Sequence, residues 1–286
     1  MERYVFFNGE FYPEKTPLLS VLDRGLCFGD GLFEVIRCIE GKFLLFSNHI
    51  ERMQNSSAFL EIDFPYNNND LLTAARELVK KNKIKDGELY VEITRGEAPR
   101  YHTFPEDTEP NFFMALNPLR VMPKNCWSQG IKVITYPDIR WKLCNIKSIN
   151  LLPNVLAKQK AKKNGAYEVL MTEEDEKGSY ITEGASSSYF SVKNNTLITP
   201  ELDNILPGVT RFKVICIAQR LGIEVEEIRL YLGEFLNMDE VFLTSTVSKV
   251  MPVVAIDDVT IGDGNPGKIT QKLQSEYEKY MMENLE

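Results

Sequence analysis

The chain has 286 residues, 43% hydrophobic and 26% charged, with 41 acidic against 33 basic side chains and a net charge of −8. This composition is ordinary for a globular protein and excludes a disordered or fibrous chain. The acidic balance also excludes a protein that tracks nucleic-acid phosphates over a basic face.

The length suffices for one large domain or two modest ones. Taken in order, Tyr4 to Phe7 and Glu10 to Tyr12 flank Asn8-Gly9, a dipeptide that accepts positive φ, so a tight hairpin is predicted. Leu32 to Ile39 and Lys42 to Phe46 around Glu40-Gly41 read as a second hairpin. Ser47 is the expected N-cap of a helix over 48–59, with Ile50 and Met53 on its apolar side. A further helix is predicted over 71–81, and strands over 88–94 and 111–117. Together these make a small mixed α/β domain over residues 1–120. Residues 121–128 contain Pro123, Asn125 and Ser128, lack periodicity and read as a linker.

A larger domain is expected over 129–286. Its predicted elements are a strand at 131–136, a helix at 154–163 with Pro153 in its first turn, and strands at 168–172 and 189–192. A helix at 210–221 stopped by Gly222, a short buried strand at 241–244 and a helix from Lys268 to Glu286 complete it. The five cysteines are scattered and form no CxxC pair, which argues against a disulfide framework and fits a reducing compartment. Two histidines are too few for a multi-histidine metal centre. Met1-Glu2-Arg3-Tyr4 leads into strand-like sequence, so no secretory leader is expected. No apolar run approaches a membrane span.

Five segments could carry chemistry. Lys147 stands among apolar neighbours in Cys144-Asn145-Ile146-Lys147-Ser148-Ile149. A half-buried lysine loses part of its preference for the ammonium form, and a neutral amine attacks aldehydes to give a Schiff base. Glu183 opens the small hydroxyl-rich run Gly184-Ala185-Ser186-Ser187-Ser188. Pro207-Gly208-Val209-Thr210 precedes a helix, whose first amides form an anion site. Thr244-Ser245-Thr246 follows a strand, and Arg52 in His49-Ile50-Glu51-Arg52 could pair with a phosphate. Each segment taken alone is more commonly structural: a surface lysine, an acidic turn, a capped helix.

In this order and spacing the five segments resemble the fold-type IV pyridoxal-phosphate enzymes, which include branched-chain aminotransferases, D-amino-acid aminotransferases and aminodeoxychorismate lyases. The resemblance covers nearly the whole chain, and Asp23-Arg24-Gly25 with Phe28-Gly29-Asp30-Gly31 and Phe33-Glu34 resembles the family's N-terminal signature. It implies a small mixed α/β domain, a larger domain with a barrel-like β core and flanking helices, and pyridoxal 5'-phosphate as cofactor. Carried over, Lys147 resembles the Schiff-base lysine and Glu183 the carboxylate at the pyridine nitrogen. Arg52, Val209, Thr210, Ser245 and Thr246 resemble the phosphate contacts, and Leu206 the residue packed on the ring. Arg140 is expected to face the phenolic oxygen.

Thr94-Arg95-Gly96-Glu97-Ala98-Pro99-Arg100-Tyr101-His102 resembles the D-amino-acid aminotransferases more narrowly. There an arginine and a histidine reach from the neighbouring subunit to the substrate carboxylate; here these are Arg100 and His102. The resemblance thus implies a homodimer acting on D-alanine, D-glutamate and 2-oxo acids, with no nucleic-acid or membrane partner, in the cytoplasm. Two departures stand out: Phe33 replaces a tyrosine that helps hold the carboxylate, and Ser188 an asparagine. The alternatives are a branched-chain L-amino-acid or (R)-amine transaminase, an aminodeoxychorismate lyase and a non-catalytic cofactor carrier, the last opposed by retention of Lys147 and Glu183.

Overall fold

The computed structural model describes residues 2–119, 122–123 and 125–286. It divides into two compact units: Met1–Arg120 with Ile146–Asn150 and Asn284–Glu286, and Val121–Asn145 with Leu151–Glu283. The units are therefore not contiguous in sequence, because the Lys147 segment folds with the first.

In the first unit, β1 (Tyr4–Phe7) and β2 (Glu10–Pro13) form the expected hairpin, with Asn8 and Gly9 at φ of 45° and 95°. Then follow α1 (Arg24–Phe28), β3 (Gly31–Ile39), β4 (Lys42–Phe43), α2 (Phe46–Phe59), α3 (Asn68–Asn82), β5 (Gly87–Thr94) and β6 (Asn111–Pro118). The sheet is antiparallel in the order β2-β1-β6-β5-β3-β4. Alternation decides its faces. Leu32, Ile36, Leu89, Val91, Ile93, Phe112 and Met114 are buried against Phe46, Ile50 and Met53 of α2 and Leu71, Ala75 and Leu78 of α3. Each large apolar side chain so buried contributes about 1.5–3 kcal/mol. The other face carries Phe33, Val35, Tyr90 and Glu92.

Two boundaries differ from expectation for identifiable reasons. Helix α2 starts at Phe46, not after Ser47, because its cap comes from the far end of the chain. The Glu286 carboxylate accepts from the Ser47 amide at 3.2 Å and from the Ser47 hydroxyl, a negative charge at a helix N-terminus. Glu286 also exchanges backbone hydrogen bonds of 2.9 and 2.8 Å with Phe43, so the last helix stops at Glu283 and the tail runs on in extended form. Helix α3 gains a turn at its start, where the Asn67 side chain accepts from the Asp70 amide.

The second unit contains α4 (Asn125–Gln129), β7 (Ile131–Pro137), α5 (Leu152–Lys163), β8 (Glu168–Asp175), β9 (Gly178–Ile181), β10 (Ser188–Lys193) and β11 (Thr196–Thr199). It continues with α6 (Val209–Arg220), β12 (Val225–Glu227), α7 (Leu232–Phe235), β13 (Glu240–Ser245), β14 (Lys249–Ile256), β15 (Val259–Thr260) and α8 (Lys268–Glu283). Its sheet runs β12-β11-β10-β13-β14-β7-β8-β9, with β15 beside β14. The β14–β7, β7–β8 and β11–β12 pairs are parallel. Val133, Leu170, Tyr189, Leu243, Met251 and Val253 fill its core. Part of the expected linker is the short helix α4, anchored by the Trp127 indole N–H to the Ser248 carbonyl at 2.9 Å. Residues 120, 121 and 124 lie outside the described residues.

Candidate active site

The first unit presents the amine. The Lys147 carbonyl accepts from the Phe33 amide at 3.0 Å, the Ile149 amide donates to Gly31 at 3.1 Å, and Ile146 is buried in the core. This close docking needs two glycines. A β-carbon at Gly29, where φ is +69°, would stand 2.1 Å from the Asn150 side chain, and one at Gly31 would meet the Ile93 carbonyl at 2.6 Å. The Gly29-Asp30-Gly31 run is thus the bed on which the lysine segment lies. Lys147 is half-buried, and its Nζ stands 4.0 Å from the centroid of the Phe33 ring.

Arg52 is held by a buried acid. Glu34 occupies an inward position of β3 at 0% exposure. Arg52 donates through Nε to Glu34 Oε1 and through Nη2 to Oε2, both at 2.7 Å, and His49 Nδ1 is 2.7 Å from Oε2. Burial alone would raise the Glu34 carboxyl, but Arg52 and His49 outweigh it and hold it at about 2. Burial pushes His49 below its ordinary value, while the Glu34 carboxylate beside its Nδ1 pulls the other way. The sign for stability follows from the lowered acid. The contribution of Glu34 is full above its ordinary value of 4.5 and is lost as pH falls toward about 2. Glu34→Gln leaves Arg52 without its counter-charge and is expected to cost about 3–5 kcal/mol. Urea unfolding at neutral pH checks this, and a loss below about 1 kcal/mol would show that the network carries little.

The loop with Arg100 and His102 rests on a charged platform whose members lie in separate sequence motifs, with nothing in the sequence to show that they pair. Asp30 binds Arg24 Nε and Arg95 Nε, each at 2.8 Å. Arg24 also donates to the Tyr101 carbonyl at 2.7 Å, and Arg95 lies 3.6 Å from the Phe104 ring centroid. Arg100 and His102 are both exposed and converge on Phe28, at 5.0 and 5.4 Å from its ring centroid.

The second unit presents the acid. Glu183 is 4% exposed, just beyond β9, and its Oε1 accepts from Arg140 Nη1 and from the Leu206 amide at 3.2 Å. Burial raises its carboxyl above the ordinary value, while Arg140 and the Leu206 amide pull the other way. Among the described residues no donor reaches Oε2. Arg140 is committed: Nε and Nη2 grip Asp138 at 2.9 and 2.6 Å, and Nη1 holds Glu183. Burial works against the Arg140 charge, but Asp138 and Glu183 raise its pKa above that of a free guanidinium. Thr182 donates to Asp138 at 2.8 Å and closes the network. The Asp138-x-Arg140 spacing is the sequence signal for the Asp138–Arg140 ion pair, and a guanidinium with five N–H groups has donors beyond these three bonds.

Near this acid lies an anion cradle. Gly208 caps α6 without any side-chain hydrogen bond, so the amides of Val209 and Thr210 lack a side-chain acceptor there. A β-carbon on Gly208 would stand 3.0 Å from the Ser188 hydroxyl, and Ser188 pairs in register with Thr244. Thr244 Oγ1 is buried without a hydrogen-bond partner among the described residues. Ser245 and Thr246 follow it, half-buried, with the Ser245 hydroxyl accepting from the Ser248 amide at 2.9 Å.

Residues 31–256 match the family model described as Amino-transferase class IV. The chain belongs to the class IV aminotransferases. It is 40% identical over 279 residues to a D-alanine aminotransferase of Staphylococcus haemolyticus, covering 97% of each chain. Among solved structures it resembles the branched-chain amino acid aminotransferase of Escherichia coli, with TM-score 0.90 and 26% identity over 100% of this chain and 97% of the other. It also resembles the T.th. branched-chain amino acid aminotransferase with pyridoxamine 5'-phosphate, with TM-score 0.89 and 27% identity over 99% and 95%. The mixed α/β architecture of two units, one small and one with a large curving sheet, is that of this class IV family. The polar groups left over in this chain fit its cofactor. Glu183 Oε2 suits a ring N–H, and the start of α6 with the orphaned Thr244 hydroxyl suits a phosphate.

Proposed function

We propose that this class IV aminotransferase uses pyridoxal 5'-phosphate to move an amino group between D-amino acids, D-alanine and D-glutamate among them, and 2-oxo acids. The observation that carries the reading is the near full-length likeness to a D-alanine aminotransferase. The cofactor, when bound, supplies an aldehyde and an electron sink. Everything else falls to the chain.

The Lys147 amine would hold the aldehyde and would move a proton at the substrate α-carbon. Glu183 keeps a proton on the ring nitrogen by its negative charge, and Arg140 and Asp138 keep that charge in place. Arg52, the Val209 and Thr210 amides and the Ser245 and Thr246 hydroxyls would hold the phosphate, and Leu206 would pack on the ring. Arg100 and His102 bind the substrate carboxylate in the site of a second copy, which makes the active unit a homodimer in the cytoplasm. Among the described residues no helix is long and apolar enough to cross a membrane.

Phe33 lacks the hydroxyl that would complete the carboxylate site. A hydrogen bond to a charged group contributes about 1.5–3 kcal/mol. Phe33→Tyr is therefore expected to lower KM for D-alanine by roughly tenfold or more; an unchanged KM rejects that role. The function itself is tested by incubating the holoenzyme with D-alanine and 2-oxoglutarate. Pyruvate and D-glutamate are expected in equal amounts, whereas conversion of L-leucine in place of D-alanine would favour the branched-chain reading suggested by the structural neighbours.

A further inference from the structure

Two of the first-unit charges that make no ion pair among the described residues lie where a second copy could meet them. One is Glu92. Strands β3 and β5 pair so that Phe33 lies opposite Glu92 and Val35 opposite Tyr90. Leu32, Leu89, Val91 and Ile93 point into the core, so Phe33, Tyr90 and Glu92 share the other face, where Lys147 Nζ lies over Phe33. The Phe33 and Tyr90 rings stack with centroids 5.8 Å apart. The Tyr90 hydroxyl donates to Glu92 Oε2, and no donor among the described residues reaches Oε1. Glu92 is half-buried and has no basic partner among those residues. Burial raises its carboxyl, the Tyr90 hydrogen bond opposes this, and Asp23 adds a like charge. Farther along β3, Arg37 is turned to the Gly87 carbonyl at 2.8 Å. A carboxylate taken partly out of water without a cation is costly unless something else supplies one.

The other charge is Arg100. It is exposed, makes no ion pair among the described residues and leans on Phe28. The same loop carries further exposed apolar side chains, Tyr101 at 70% and Phe104 at 51%. Such side chains on a chain with net charge −8 suit burial against another protein surface.

We propose that Glu92 of one copy is the docking counter-charge for Arg100 of a second copy, making Glu92 the positioning residue that aims the carboxylate-binding guanidinium over Phe33. The inference rests on the assignment of Arg100 to the neighbouring site. It explains why the hydroxyl missing at Phe33 is tolerable, since the clamp is steered from β5 through Glu92 and Tyr90. It also sets a sign. A carboxylate that aims Arg100 helps the substrate bind, whereas one that only faces the substrate carboxylate repels it.

The test is Glu92→Gln in the holoenzyme, with KM and kcat for D-alanine measured together with the dimer dissociation constant at low and high salt. KM is expected to rise roughly tenfold with kcat little changed. The dimer should weaken and lose part of its salt dependence, and Glu92→Gln should have no further effect in an Arg100→Gln background. A lowered KM, an unchanged KM or additive single substitutions would overturn the proposal. If the wild type does not convert D-alanine at all, the D-amino-acid reading fails. The dimer constants of the two single variants and the double variant then decide the Glu92–Arg100 pair by themselves.

Discussion

Lys147→Ala is expected to abolish transamination, lowering kcat/KM by at least about 10⁴-fold, because one side chain supplies both the covalent anchor and the mobile base. Folding should survive. The backbone bonds that dock the segment run from the Phe33 amide and to the Gly31 carbonyl, and alanine keeps both. The variant should also lose the adduct that borohydride fixes between protein and cofactor, which mass mapping of the reduced wild type would place on the peptide containing residue 147. An adduct that persists on another lysine would show that the half-buried amine over Phe33 is a structural cation.

Glu183→Gln is the second large effect. The substitution keeps the shape of the side chain and removes its charge, while Arg140 remains gripped by Asp138 at 2.9 and 2.6 Å. Without the anion, nothing at that position favours a protonated ring nitrogen, and kcat is expected to fall roughly 10²- to 10⁴-fold. Substrate KM should move little, because Glu183 is not assigned to substrate. Steady-state kinetics at saturating cofactor check this, and a kcat within a fewfold of wild type would remove Glu183 from the proposed chemistry. Glu183→Asp is a useful companion. It retains the charge but withdraws it from the Leu206 amide, and an intermediate rate would separate charge from placement.

Much of this molecule is legible in its residues, for physical reasons. The period-two alternation of β3, β5 and β6 announces a sheet with one buried face, and Asn8-Gly9 can be little other than a tight turn. Lys147 and Glu183 stand out by the company of the other motifs along the chain. What stays hidden depends on contacts distant in sequence. Glu286 caps α2 from 239 residues away, which no local rule about Ser47 anticipates. The Asp30 platform joins Arg24 to Arg95, whose guanidinium arrives from 65 residues farther along the chain than Asp30. The nearness of Arg140 to Asp138 is local, whereas its reach to Glu183 spans 43 residues. Glu92 looks like one polar residue in an alternating strand. Only the pairing register places it beside Phe33.

Whether this scaffold handles D-amino acids is decided by one half-reaction. The protein loaded with pyridoxal 5'-phosphate is mixed with D-alanine or with L-leucine, with no 2-oxo acid present, and the visible absorbance of the bound cofactor is followed. Rapid bleaching with D-alanine and a stable signal with L-leucine is the expected outcome. Bleaching with L-leucine and none with D-alanine would contradict it.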